Sequence, residues 1–232
     1  MTNHHRFRAS LTAAVAAVAI TSGAGLVALT TATPSAAASC SNGYVALTFD
    51  DGPTSSTQSL LSALNSAGAR ATLFIWGNRV SGNASVLQTA VNAGMWLGNH
   101  SWTHPHMTSL SSSQMSSEIT QTQTAVKSAA GVTPQLFRPP YGETNSTLKS
   151  VEAQNGLTEV LWTVDSQDWN GASTAQIVSA AGNLQAGGIM LMHDGYSNTV
   201  NAVSQIVSNL NSRGLCTGKI SQSTGRAVAL NS

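Results

Sequence analysis

The sequence predicts an α/β fold built on parallel strands. Three observations carry that prediction. Short apolar runs alternate with helical patterns from Tyr44 to Leu210, no linker or repeat breaks the chain after residue 39, and polar clusters fall just past the apolar runs. Strands that alternate with helices return through crossovers, which makes neighbouring strands parallel.

The elements follow in order. Residues 44–49 are a strand, and 56–67 a helix with Leu60, Leu61 and Leu64 on one face and Gly68 to close it. Residues 71–75 are a strand, 84–93 a helix closed by Gly94, and 95–98 a short strand. Residues 111–130 are the longest helix, with Met115, Ile119 and Val126 inward and Gly131 at its end. A brief strand at 136–137, a helix at 145–154, a strand at 160–164 and a helix at 173–184 come next. A strand at 189–192 and a helix at 200–210 complete the pattern.

Composition narrows the function. Of 232 residues 41% are hydrophobic, enough for a sizeable core, yet only 8% are charged, against about 25% in a typical soluble domain. Ten Lys and Arg against nine Asp and Glu leave no basic stripe for a phosphate backbone, which excludes nucleic acid as a partner. No charge run forms an interaction tail, and recurring apolar stretches exclude disorder. Charge this scarce is informative where it gathers. Asp50, Asp51, Asp165, Asp168 and Asp194 fall in three clusters, and His100, His104, His106 and His193 lie in or beside polar clusters.

Residues 1–38 have the pattern of an export signal. Arg6 and Arg8 are followed by an Ala/Val/Leu-rich stretch over 11–30 and by Pro34-Ser35-Ala36-Ala37-Ala38. An uncleaved membrane anchor is the competing reading, but Thr21, Ser22, Gly23 and Gly25 interrupt the stretch. Cleavage would leave a secreted, extracellular domain over 39–232, with no stable membrane association and near-neutral charge. Cys40 and Cys216, the only cysteines, lie at opposite ends of that segment. In an exported protein they predict one disulfide, with two free thiols as the alternative.

The polar clusters follow the strands: Asp50-Asp51 the first, His100 to His104 the third, Arg138 the fourth, Asp165 to Asp168 the fifth and His193 the sixth. In barrels and open α/β sheets alike, active sites form beyond the carboxyl ends of the strands. Two histidines four residues apart can face one ion across a turn, and a carboxylate from Asp50-Asp51-Gly52-Pro53 adds an oxygen. Three protein ligands with open positions form the catalytic rather than the structural zinc arrangement. Successive strand-end side chains diverge, so one aspartate can bind metal while the other faces the attacking water. His106 is a bystander in this scheme.

Five segments carry a resemblance. Thr48-Phe-Asp-Asp-Gly-Pro53, His100-Ser-Trp-Thr-His-Pro105, Arg138-Pro-Pro-Tyr-Gly142, Asp165-Ser-Gln-Asp-Trp169 and Leu191-Met-His193 resemble, in order, the motifs of the NodB-homology polysaccharide deacetylases, carbohydrate esterase family four. The sequence is similar to secreted actinobacterial acetylxylan esterases and chitin deacetylases. The resemblance implies a single-domain distorted (β/α) barrel with fewer than eight regular units. It implies Asp51, His100 and His104 as ligands of a divalent metal, zinc by default, with cobalt or nickel also fitting these donors. It implies Asp50 as general base, held ionised by Arg138, and His193 as general acid, its protonation set by Asp168. The backbone N–H of Tyr141 would hold the oxyanion, Trp169 and Leu191 the acetyl methyl, and Asp165 would support. The implied activity is removal of acetyl groups from chitin-type N-acetylglucosamine polymers or O-acetylated xylan, with peptidoglycan as the alternative substrate; a monomer is the default expectation, which the sequence leaves open. A non-catalytic carbohydrate-binding protein on the same fold is the rival, and a metallopeptidase is disfavoured because His-Glu-x-x-His is absent. Trp76, Trp96, Trp102 and Trp162 are expected mostly in the core, with Trp102 as the one to stack on sugar.

Overall fold

The computed structural model describes residues 39–232; the expected export signal, residues 1–38, lies outside them. The elements are β1 (Tyr44–Gly52), α1 (Thr57–Ser66), β2 (Ala71–Ile75), α2 (Ala84–Asn92), β3 (Trp96–Asn99), α3 (Ser112–Ala130), β4 (Leu136–Phe137) and α4 (Ser146–Gln154). β5 (Thr158–Glu159), β6 (Val164–Asp165), α5 (Thr174–Ala181), β7 (Ile189–His193), α6 (Ser197–Ser212), β8 (Cys216–Thr217), β9 (Lys219–Ile220) and β10 (Ala227–Val228) follow. The main sheet runs β5-β4-β3-β2-β1-β7-β6 with parallel pairing throughout, and β8 joins the start of β1. β9 and β10 form a separate antiparallel pair.

Side-chain alternation sorts the strands into two faces. Val45, Leu47 and Phe49 of β1, Leu73 and Ile75 of β2 and Met190 and Met192 of β7 pack outward against Leu60, Leu64, Leu87, Ile177, Val203 and Ile206 of the surrounding helices. The other parity points inside the curl, where Ala46, Phe74, Leu136, Val160 and Ile189 meet Ile220 and Ala227 of the β9–β10 pair. The sheet therefore wraps a small core of its own as a half-barrel. Gly98 on β3 is needed there, because a Cβ would sit 2.4 Å from the Phe74 ring. A smaller cluster joins Met115 and Ile119 of α3 to Phe137 of β4 and Leu148 and Val151 of α4.

The helix expectations hold to within about three residues. α3 is bounded as its sequence suggested, with a Ser111–Gln114 capping box at one end and Gly131 at φ 75° at the other. The strand expected over 160–164 is corrected. Thr158–Glu159 pairs with β4 at one edge of the sheet and Val164–Asp165 pairs with β7 at the opposite edge. Residues 160–163 bridge those edges, and the Val160 and Leu161 carbonyls accept hydrogen bonds from the Arg138 side chain instead of from a strand. His193 ends β7 rather than following it, and β8 to β10 lay unread in the sequence.

Candidate active site

The inner parity of β1 carries Thr48 and then Asp50, so Asp50 is the last side chain inside the curl and is only 2% exposed. Pairing shifts register between Phe49 and Gly52, and Asp51 sits at φ 68°, so the two adjacent carboxylates diverge. Arg138, fully buried, donates from Nη1 to Asp50 Oδ1 at 2.8 Å and to Thr48 Oγ1 at 2.7 Å. Its Nε and Nη2 donate to the carbonyls of Val160 and Leu161, and the Phe74 ring lies 4.2 Å beneath the guanidinium. Four of its five N–H groups thus have oxygen partners, as burying a cation demands. Burial raises the Asp50 carboxyl above its ordinary value, and Arg138 opposes that rise. The pairing expected between Arg138 and Asp50 is present, but burial outweighs it.

Asp51, His100 and His104 each turn one ligand atom to a common point, the three atoms lying within 4.8 Å of one another. His100 is buried, and its Nδ1 lies 2.7 Å from the Arg138 carbonyl. A carbonyl only accepts, so Nδ1 carries the hydrogen and the Nε2 lone pair faces the site. Burial pushes His100 down to about 3 and also lowers His104, which keeps both rings neutral, the form that binds metal. Asp51 Oδ1 lies 3.5 Å from His100 Nε2 and 3.4 Å from His104 Nε2, is buried, and has no hydrogen-bond partner. A buried carboxylate oxygen set between two neutral imidazoles without a hydrogen bond to either is costly unless a cation joins them. The residues therefore fit a divalent metal. His106 stands apart: its Nδ1 lies 3.0 Å from Glu143 Oε2 and its ring stacks on Tyr141.

His193 and Asp168 form the other half. His193 Nδ1 lies 2.8 Å from Asp168 Oδ1, and the His193 N–H donates to Asp168 Oδ2 at 2.7 Å. Thr199 Oγ1 and the Trp169 N–H donate to the same carboxylate at 2.7 and 2.8 Å. Burial alone would raise Asp168, but the bonds from His193 and Thr199 hold it below the ordinary range. Burial alone would lower His193; its bond to Asp168 and the nearby charge of Asp50 raise it instead. Nδ1 is committed to Asp168, so Nε2 is the atom free for chemistry.

Asp50, Asp51, His100, His104, Tyr141, Asp165, Trp169, Leu191 and His193 all line one cavity of about 360 Å³. Arg138 and Asp168 stand behind it. Tyr141 is at φ 60° in the Pro140–Gly142 turn, its ring edge-on to His104. Asp165 accepts from the Gln167 N–H and side chain, which fixes the loop that carries Trp169. Trp162 and Tyr196 also line the cavity. Tyr196 was missed, and its place three residues past His193 was the one available signal. Trp102 is not among the lining residues; its ring packs over Gly77, where a Cβ would meet it at 2.6 Å. A larger space of about 970 Å³ opens beside Trp96, Leu136 and Thr158, the first residues of β3, β4 and β5, at the opposite end of the strands from these groups. The expected disulfide is present, Cys40 to Cys216.

A polysaccharide deacetylase family model matches residues 38–160. A family 4 carbohydrate esterase from Streptomyces lividans, solved in complex with acetate, superposes with a TM-score of 0.80 and 60% identity, covering 81% of this chain and 98% of that one. A bifunctional xylanase/xylan deacetylase of Cellvibrio japonicus is 49% identical over 193 residues, 82% of this chain and 29% of that protein. A peptidoglycan-N-acetylglucosamine deacetylase of Listeria monocytogenes is 36% identical over 178 residues, 75% of this chain and 37% of that protein. The chain thus spans about a third of the length of those two curated relatives. With its sequence and its half-barrel fold both matched, the chain belongs to the polysaccharide deacetylase family.

Proposed function

We propose that this chain is a secreted, metal-dependent carbohydrate deacetylase that hydrolyses acetyl groups from N-acetylglucosamine polymers or O-acetylated xylan. The observation that carries it is the unpartnered Asp51 Oδ1 between two neutral imidazoles, with Asp50 and His193 lining the same cavity. Zinc is the metal we assign, held by Asp51, His100 and His104; it would supply Lewis acidity, lowering the pKa of water and polarising the acetyl carbonyl.

The remaining steps belong to side chains. Asp50 takes a proton from the attacking water as general base. Arg138 keeps it aimed. As the carbonyl oxygen gathers charge, the Tyr141 backbone N–H donates to it; one such donor is typically worth about 10²–10³ in rate. Trp169 and Leu191 enclose the acetyl methyl. His193 Nε2 protonates the departing nitrogen or oxygen as the C–N or C–O bond breaks, releasing acetate. Asp168 holds His193 in the required tautomer and charge state.

Peptidoglycan is the second substrate reading, favoured by the similarity to the Listeria deacetylase. A non-catalytic role is disfavoured by the retention of both Asp50 and His193. Acetate release from acetylated xylan, chitin oligomers and peptidoglycan, measured side by side with and without chelator, tests the proposal. Chelation should abolish activity with the circular dichroism spectrum retained; full activity in metal-free protein would overturn it. Asp50→Asn should keep the metal and lose turnover, whereas His104→Ala should lose both.

A further inference from the structure

His100 and His104 are separated by three residues that belong to neither helix nor strand. Ser101 and His104 both have positive φ, 64° and 60°. Non-glycine backbone in that region persists only where its surroundings over-determine it. With no ladder available, every N–H of the segment needs a partner from elsewhere. The Ser101 N–H donates to Asn99 Oδ1 at 2.9 Å and the His104 N–H to Ser101 Oγ at 3.1 Å. The Ser101 and Trp102 carbonyls accept from the N–H groups of Gly77 and Asn78 at 2.8 and 3.1 Å. Two donors remain, the N–H groups of Trp102 and Thr103. Both converge on one oxygen, Glu118 Oε2, at 2.8 and 2.7 Å, while Thr103 Oγ1 donates to Oε1 at 2.8 Å.

Glu118 is the sole acidic residue of α3. The next residue on α3, Ile119, accepts through its carbonyl from Asn99 Nδ2 at 2.9 Å, so this turn of the helix holds both ends of the loop. We propose that Glu118 is a positioning residue for the metal centre: its carboxylate clamps the 102–103 backbone and so fixes the approach of His104 to His100. This inference rests on the proposed metal role of the two histidines. Removal of Glu118 frees two N–H groups to water and lets the positive-φ residues relax, which would displace the His104 ring from Asp51.

Glutamine can reproduce the clamp. Its Oε1 accepts both N–H groups, and its amide can donate to a rotated Thr103 hydroxyl. Alanine cannot, and aspartate is one methylene short. Partners that orient ligands typically contribute about 10–100-fold in metal affinity.

The test is zinc affinity of the metal-stripped full chain, measured by competition with a chromogenic chelator, with circular dichroism and melting recorded on the same samples. Glu118→Ala should bind zinc about 10–100-fold more weakly than wild type with its spectrum retained, and Glu118→Gln should stay near wild type. Wild-type affinity in Glu118→Ala, or a lowered melting temperature with unchanged affinity, would overturn the inference. If Glu118→Ala does not fold, Glu118→Asp carries the same expectation, and wild-type affinity in that variant overturns it. Failure of the wild type to bind zinc overturns the metal centre itself, a result separable from these.

Discussion

Asp168 gathers four donors on one carboxylate, two of them from His193. The consequence is a charge state for His193 set by competition: burial disfavours the imidazolium, and Asp168 with Asp50 more than restores it. A raised pKa keeps the proposed acid protonated to higher pH than a free imidazole. In Asp168→Asn the anion is lost and burial prevails, so the alkaline limb of the kcat/KM profile should move to lower pH. Loss at alkaline pH should approach about 10²-fold, the lower range for general acid catalysis. A profile that falls in height without moving along the pH axis would mean that Asp168 orients His193 without setting its charge. Motif residues such as these were legible because each must be one chemical type. Tyr196 was not, since an exposed aromatic ring is placed by α6 and by no local pattern.

Among the elements, α4 and β5 share a buried acid. Glu152 is 2% exposed and its Oε1 has no partner, while Glu159 beside it accepts from Thr144 and pairs with Lys149 at 3.5 Å. Burial first, and the Glu159 charge second, push Glu152 up to about 8 from 4.5. A carboxyl raised on folding favours the folded chain fully below its unfolded value, and that contribution is lost as pH climbs through 4.5 toward 8. Glu152→Gln removes the ionisation. Its melting temperature should exceed that of wild type at pH 9 and match it near pH 5; an equal gap at both would exclude this cause. The neighbouring error in the sequence reading has a related origin. Residues 160–164 are as apolar as a strand, but a guanidinium far away in sequence takes the carbonyls that a strand partner would have used.

The Cys40–Cys216 bond, 176 residues apart in sequence, ties the segment before β1 to β8, which lies alongside the start of β1. A loop of that length contributes up to about 5 kcal/mol in the chain-entropy model. Cys216→Ser should therefore lower the melting temperature while leaving acetate release at room temperature near wild type, because neither cysteine lines the cavity. Loss of activity below the new melting transition would show that the termini support the site directly.

By itself the sequence determined the alternation of strands and helices, the five clusters at the strand ends and their chemical types, because periodicity and motif spacing are local properties. It also held the two cysteines whose disulfide the export pattern suggested. Only the tertiary structure decided the rest. The burial that neutralises His100 and the clamp of Glu118 on the loop between two histidines each depend on groups distant in sequence. Hydrogen bonding and desolvation act through space, and no local pattern records which distant residue will arrive.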